Sequence, residues 1–442
     1  MAGVVVLGAG VAGEHFVGAL RRHDADVRIT VVERELAGGE CSYCACIPSK
    51  TMLRPLEAVG QARVIPGVQV NGIDVAQVLA WREEVAGKDD TGQVRWLEEQ
   101  GARFVRGHAQ VADGDAVVVD GHSYTYDELV VATGSLPAAP RIEGLDSAGF
   151  WTSRDGTSAR EIPSSLAVVG GGAVGCELAQ FYARAGSRVT LVQSGAHLLE
   201  QMDAEAGELL ADVLRAEGVE VRTGTRPARV ERDGDTLRLA CEGRETFEVE
   251  ATHLLVATGR TPTVEGFGLE RLPLELGTTG ISVDERLRAA PGVWAIGDVT
   301  GISLFTHVGK YQARVAAANI AGENARADYR AIPAAIFTDP QVASVGDTSG
   351  EGAVTASWRL EDVARASTYA KPARPGFVKL FADPRRGVLV GAVVVGPEAG
   401  EWLGQLTLAV RAEVPVEVLQ DTIQPFPTFS EAIFFAAREL VL

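Results

Sequence analysis

The chain carries the same fold constraint twice: an apolar run that stops at three glycines spaced G-x-G-x-x-G and passes directly into a helix-like stretch. In the first copy, Ala2 to Leu7 is Val-rich and ends at Gly8, Gly10 and Gly13, after which Phe16, Ala19 and Leu20 share one helical face. The order is strand, tight turn, helix. The next apolar run, Val27 to Val32, ends at Glu33, about 20 residues beyond the last glycine, where an acidic side chain accepts from a ribose hydroxyl. Glycines let the backbone approach a pyrophosphate, and the helix N-terminus offers its N–H groups to it. The unit reads as a dinucleotide site.

The second copy begins near the middle of the chain, where SLAVVGGGAVG supplies Gly170, Gly172 and Gly175 and the helix continues through Glu177, Leu178, Phe181 and Tyr182. Its following strand, Arg188 to Val192, ends at Gln193. A neutral amide there can hydrogen-bond a ribose hydroxyl but supplies no charge to hold a 2′-phosphate, and no Arg or Lys follows until Arg215. This tilts the expectation toward NADH over NADPH.

Composition bounds the remaining possibilities. With 442 residues, 46% apolar content and 50 glycines, the chain is long enough for several α/β domains and too well mixed for disorder. A net charge of -18 repels phosphate backbones and anionic lipid, so neither nucleic acid nor membrane is an expected partner. The first strand-like run starts at Val4, leaving no room for a signal peptide, and no apolar stretch has the length of a membrane span. A cytoplasmic protein is expected. Five cysteines, an odd count, do not look like a secreted disulfide framework, so a pair that forms is catalytic rather than structural.

Cys41 and Cys46 are that pair, in the run GGECSYCACIPSK with Pro48, Ser49 and Lys50 immediately behind them and Gly39 just before. Standing shortly after the first fingerprint, they lie where a bound cofactor can exchange electrons with them, which points to flavin-linked thiol chemistry. Two matching segments, VVATGS with Thr133 and Gly134 and LVATGR with Gly259, put an apolar strand before a Thr-Gly turn. A third, VWAIGD, ends in Gly297 and Asp298, an acid able to reach a flavin ribityl or phosphate group.

Taken in order, these motifs resemble the pyridine nucleotide-disulfide oxidoreductases, the flavoprotein family of dihydrolipoamide dehydrogenase, glutathione reductase and mercuric reductase, over nearly the whole chain. The resemblance implies an α/β fold with two Rossmann-like dinucleotide-binding domains and a C-terminal α+β interface domain. FAD would occupy 1–148 and 277–330, the nicotinamide cofactor 149–276, and 331–442 would form a homodimer and contribute to the partner's active site. It also implies that Cys46 is the flavin-side thiol and Cys41 the interchange thiol that attacks an external disulfide. Lys50 would pair with a glutamate near the flavin N5 edge, and Glu177 occupies the matching place.

Two positions depart from the family pattern. Cys44 replaces a glycine; it can compete for either thiol partner, act as an additional metal or thiol ligand, or fill space as a small buried residue, and the last reading is preferred. No metal site is expected elsewhere. In PFPTFSE, Phe426 stands where the family has the histidine of its His–Glu proton-shuttling dyad, while Glu431 is retained. Loss of a general acid/base costs on the order of 10² to 10⁴ in rate where proton transfer limits. Tyr43 is a conceivable substitute acid, though a packing role is preferred. Cys176 and Cys241 read as core residues.

Three functions follow. The first is a dithiol/disulfide oxidoreductase acting through Cys41 and Cys46 on a small, apolar disulfide, because Phe426 and Phe429 would give the substrate mouth an apolar lining. The second is a quinone or metal-ion reductase, which tolerates the missing histidine. The third is a flavoprotein without turnover. Mercuric ion is disfavoured, because the chain ends at ARELVL without the mercuric branch's C-terminal cysteine pair and begins directly at its fingerprint.

Overall fold

The computed structural model describes residues 3–113, 115–369 and 375–442. They gather into two compact units. The first comprises residues up to Pro48, Glu84–Ala138 and Gly259–Asp328, and the second Ser49–Glu83, Ala139–Thr258 and Tyr329–Leu442.

The first unit is built on β1 (Gly3–Leu7), which pairs in parallel with β2 (Arg28–Glu33) on one side and with Glu128–Val131 on the other. β3 (Ala102–Arg106) extends the parallel sheet beyond β2, Val293–Ala295 extends it at the opposite side, and Arg288–Ala290 closes that edge antiparallel. Every residue of β1 is buried, which is why it reads as a continuous apolar run without polar alternation. Successive side chains enter different layers. Val4 and Val6 pack with Phe16 and Leu20 of α1 (Val11–His23) and with Ala313 and Ala316 of the helix Thr306–Ile320. Val5 and Leu7 meet Val111, Val117 and Val119 from a three-stranded antiparallel sheet, Ala109–Ala112, Ala116–Val119 and His122–Thr125. Burying each such Val or Leu contributes about 1.5–3 kcal/mol.

The second unit repeats the plan. Ser165–Val169 pairs in parallel with Arg188–Val192 and His253–Val256, and Glu220–Arg222 flanks Arg188–Val192. Leu166 and Val168 pack toward Leu178 and Phe181 of the helix Ala173–Arg184, while Ala167 and Val169 pack toward Val230, Leu237 and Cys241 of an antiparallel three-stranded sheet. A separate five-stranded antiparallel sheet, ordered Pro333–Ile336, Gln341–Gly346, Val388–Gly396, Phe377–Asp383, Val354–Arg359, buries Val345, Leu380 and Val394 against Leu403 and Leu406 of helix Ala399–Arg411 and Ile433 of helix Glu431–Arg438. The two parallel α/β sheets and the α+β C-terminal segment are of the fold class that the family resemblance implies. No described helix is long and apolar enough to cross a membrane.

Two short elements complete what positions the site: α2 (Gly39–Tyr43) and α3 (Cys46–Arg63). Pro48 sits in the first turn of α3, where its missing N–H deprives the helix of nothing. Met52, Leu53 and Leu56 anchor α3 in the core that holds Phe181, Tyr182 and Val342.

Candidate active site

At the first glycine turn, steric closure explains the residue type. Gly8 has φ +107°, and a β-carbon on it would lie 2.3 Å from the Ala132 carbonyl oxygen; one on Gly13 would lie 2.1 Å from the oxygen of Gly8. Gly39 packs back on the turn, where a β-carbon would stand 2.9 Å from Gly10 Cα. Gly10 caps α1 without a side chain, so the first-turn N–H groups face a surface of bare backbone. Glu33 closes it: its Oε2 accepts from Ala9 N–H at 2.9 Å and its Oε1 from Glu35 N–H at 2.8 Å. A pyrophosphate with an adjoining ribose fits this cradle, as FAD requires.

On the same unit, Thr133 Oγ1 donates to the Thr263 carbonyl at 2.6 Å and Gly134 accepts from Thr263 N–H at 2.9 Å. Gly297 N–H is held by Gln312 Oε1 at 2.6 Å, which aims the short turn beginning at Gly297–Asp298. Asp298 accepts from Ser135 Oγ at 2.6 Å, and burial pushes its carboxyl above the usual range against the pull of Ser135 and Arg260. Arg260 ties this cluster to the cysteines. Its guanidinium donates to Ser135 Oγ at 2.7 Å and forms an ion pair with Glu40, the residue before Cys41. Gly259 lies in this unit too, its carbonyl accepting from Ala138 N–H at 3.0 Å, and not in the unit that holds Gly170 and Gly172.

Cys41 lies in α2 and Cys46 opens α3, where first-turn N–H groups present positive partial charge. A hydroxyl that the sequence did not single out joins them: Thr306 Oγ1 donates to Cys41 Sγ at 3.3 Å and lies 3.5 Å from Cys46 Sγ. A hydrogen bond to Cys46, then burial, push the Cys41 thiol well above the usual range, while Thr306 and Lys310 oppose the shift. Cys44 is partly exposed. Tyr43 is buried, its hydroxyl donating to the Ala37 carbonyl at 2.9 Å, and burial followed by the charge of Asp90 raises its pKa to about 12. Such a phenol is a packing group rather than an acid for neutral solution. Cys176 and Cys241 are both fully buried.

The second glycine turn closes like the first. A β-carbon on Gly170 would lie 2.4 Å from the Ala257 oxygen and one on Gly175 1.8 Å from the oxygen of Gly170, while Gly172 caps the helix without a side chain. Gln193 Oε1 accepts from Gly171 N–H at 2.9 Å. One turn along the helix, Glu177 accepts from Lys50 Nζ at 2.8 and 3.1 Å and from Phe337 N–H at 2.9 Å, and the ammonium lies 4.8 Å from the centre of the Phe337 ring. Three hydrogen bonds from two donor groups stabilise a carboxylate that is 5% exposed.

In the C-terminal segment Phe426 is 75% exposed and Phe429 packs beside Tyr369 with ring centres 5.6 Å apart. Glu431 opens its helix and accepts from Thr428 N–H at 3.4 Å. The described residues contain no cluster of His, Cys, Asp and Glu able to hold a metal ion.

Comparison with known proteins agrees with this geometry. Residues 2–323 match the pyridine nucleotide-disulphide oxidoreductase family and residues 332–437 match its dimerisation domain, which supports a homodimer. The chain is 34% identical to a dihydrolipoyl dehydrogenase of Thermus scotoductus over 99% of this chain and 97% of that one. It is 35% identical to a mercuric reductase of Acidithiobacillus ferrooxidans over 98% of this chain and 82% of that one. Among solved structures it is similar to LpdA from Mycobacterium tuberculosis, with TM-score 0.89, 29% identity and both chains covered in full at 100%. The HOCl-induced flavoprotein disulfide reductase RclA from Escherichia coli shares the fold, with TM-score 0.87 at 23% identity over 99% of this chain and 100% of that one. The chain belongs to the pyridine nucleotide-disulphide oxidoreductases and is an FAD-dependent enzyme of that family.

Proposed function

We propose that this enzyme transfers electrons from NADH to a small, apolar disulfide through the Cys41/Cys46 pair, acting as a homodimer in the cytoplasm. The observation that carries the reading is the single Thr306 hydroxyl in hydrogen-bond reach of both sulfurs, beside a buried dinucleotide cradle. FAD, when bound, would accept a hydride from the nicotinamide and pass an electron pair to the disulfide. In this reading Gly8, Gly10, Gly13 and Glu33 hold its pyrophosphate and ribose, Gly39, Thr133, Gly134, Gly297 and Asp298 line its remaining length, and residues 1–148 with 277–330 form its domain. Residues 149–276 bind the nicotinamide cofactor, with Gly170, Gly172 and Gly175 at its pyrophosphate and Gln193 at its ribose. Residues 331–442 form the interface.

The protein groups then act in order. Cys46 receives the electron pair as the Cys41–Cys46 bond breaks, and Cys41, the interchange thiol, takes up a proton. Cys41 attacks the substrate disulfide after releasing that proton, and Cys46 resolves the mixed disulfide, so that NADH, a proton and a disulfide yield NAD⁺ and a dithiol. Lys50, held by Glu177, supplies positive charge near the cofactor. Glu431 remains without the histidine partner, so a substrate whose leaving thiol is acidic suits the site best.

A second reading, reduction of a quinone, draws support from the exposed phenyl ring of Phe426 at the position of the proton donor. Anaerobic reductive titration of the FAD-loaded protein separates the two. A working thiol pair stores a second electron pair beyond that of the cofactor, and Cys41→Ser loses it; uptake that is the same in both proteins would refute the disulfide reading.

A further inference from the structure

The strand that ends at Gln193 lacks the acidic residue that selects an unphosphorylated ribose, and the loop after it brings one back. We propose that Glu200 is the specificity-determining carboxylate of the nicotinamide site, favouring NADH and repelling the 2′-phosphate of NADPH. The inference rests on the NADH reading given above and names the residue that enforces it.

Gln193 is fixed on all sides. Its N–H donates to the Arg222 carbonyl at 2.8 Å and its carbonyl accepts from Thr225 N–H at 3.0 Å. The side-chain oxygen is taken by Gly171 N–H at 2.9 Å, inside the glycine turn, and the side-chain nitrogen donates to Glu200 Oε2 at 3.3 Å. The amide acceptor is thus engaged with the protein. A ribose diol needs an acceptor for its own hydroxyl protons, and Glu200 supplies the adjoining one.

Glu200 does not reach this place by chance of rotamer. Leu199 N–H bonds the Gly171 carbonyl at 2.8 Å, folding the loop back onto the glycine turn. Gly195 leaves the space that the carboxylate enters: a β-carbon there would lie 2.3 Å from Glu200 Oε2 and 2.7 Å from Gln193 Nε2. Glu200 itself is exposed, so a ligand can meet it. A 2′-phosphate carries close to two negative charges, and like charges brought together cost affinity.

The neighbouring Arg222 is already engaged with other carboxylates. Arg222 gives its Nε to Glu220 at 2.8 Å and its Nη1 to Glu245 at 3.3 Å. Arg244 lies further along, its Nε 2.9 Å from a β-carbon placed on Gly224, whose N–H in turn bonds the Gly195 carbonyl at 2.7 Å. Arg244 is the residue that a phosphate-binding site would use instead.

The test is equilibrium binding of NAD⁺ and NADP⁺ by calorimetry to the FAD-loaded protein, to Glu200→Gln and to Arg244→Ala, alongside KM and kcat for NADH and NADPH. The parent is expected to prefer NAD⁺. Glu200→Gln should narrow the ratio of the two affinities at least about tenfold, mainly by tighter NADP⁺ binding, with the change in KM and not kcat. A parent that prefers NAD⁺ with a ratio unmoved by Glu200→Gln overturns the role of Glu200 and leaves the NADH reading standing. A parent that prefers NADP⁺, with the preference lost in Arg244→Ala, overturns both.

Discussion

Lys50 and Glu177 lie 127 residues apart in sequence, yet the ammonium stands 2.8 and 3.1 Å from the two carboxylate oxygens. Phe337 N–H holds Glu177 Oε1 as well, at 2.9 Å, so the carboxylate has an anchor besides the lysine. Glu177→Ala removes the anchor and leaves a cation without its partner. In the proposed role this slows cofactor reduction by NADH about 10- to 100-fold and destabilises the fold by about 3 kcal/mol. Stopped-flow absorbance of the cofactor checks the rate; an unchanged rate in a folded variant removes Lys50 from the mechanism.

Thr306 is the residue that most separates thiol chemistry from cofactor chemistry. Thr306→Val keeps the shape and deletes both hydrogen bonds to sulfur. A hydrogen bond of this kind contributes about 1 kcal/mol, so lipoamide turnover should fall roughly five- to tenfold while quinone turnover holds. Equal losses with both acceptors would mean that the hydroxyl serves the fold alone.

The glycine turns were legible in the sequence because their spacing is local, although Gly8 also answers to the Ala132 carbonyl on a distant strand. Gly8 and Gly13 answer to a backbone that leaves no room for a β-carbon, and the run VVVL before them is what a strand buried on both faces must look like. The cysteine spacing was legible for the same reason. Thr306 was not: it is 265 residues from Cys41, in a stretch whose local pattern says only that a helix begins. The Glu40–Arg260 pair and the return of Glu200 to Gln193 depend on tertiary folding, and no periodicity records them. Met52 and Leu56 likewise look like the apolar stripe of any helix until the structure packs them with Phe181.

In the proposed reading, where Phe426 stands in place of a proton-shuttling histidine, Phe426→His would introduce a titratable group there. The expected outcome is lipoamide turnover raised at least about tenfold, with a pH dependence that the parent lacks, centred near the usual histidine pKa of about 6.5. A pH–rate profile in parent and variant reads it. No gain would place the limiting step elsewhere than proton transfer.

Glu14 in α1 has a buried Oε1 without a hydrogen-bond partner, and burial raises its pKa from 4.5 to about 7 against the pull of Lys310. Below pH 4.5 both folded and unfolded chains carry the proton and the group contributes nothing. As pH rises from 4.5 through about 7 the unfolded chain releases its proton first, so folding loses stability, and above about 7 the loss is complete. Glu14→Gln should therefore raise Tm by about 2 °C near pH 8 and change it little near pH 4.5. A Tm difference that is the same at both pH values would contradict a buried, proton-retaining Glu14.

In the proposed mechanism electrons leave through the Cys41/Cys46 pair. The direct measurement is NADH consumption by the FAD-loaded protein with lipoamide and with a quinone in parallel, each repeated on Cys46→Ser. Lipoamide is expected to turn over, and the substitution to abolish this while quinone reduction survives. Turnover of the quinone alone, undiminished in the variant, would contradict it and strip the cysteines of their catalytic role.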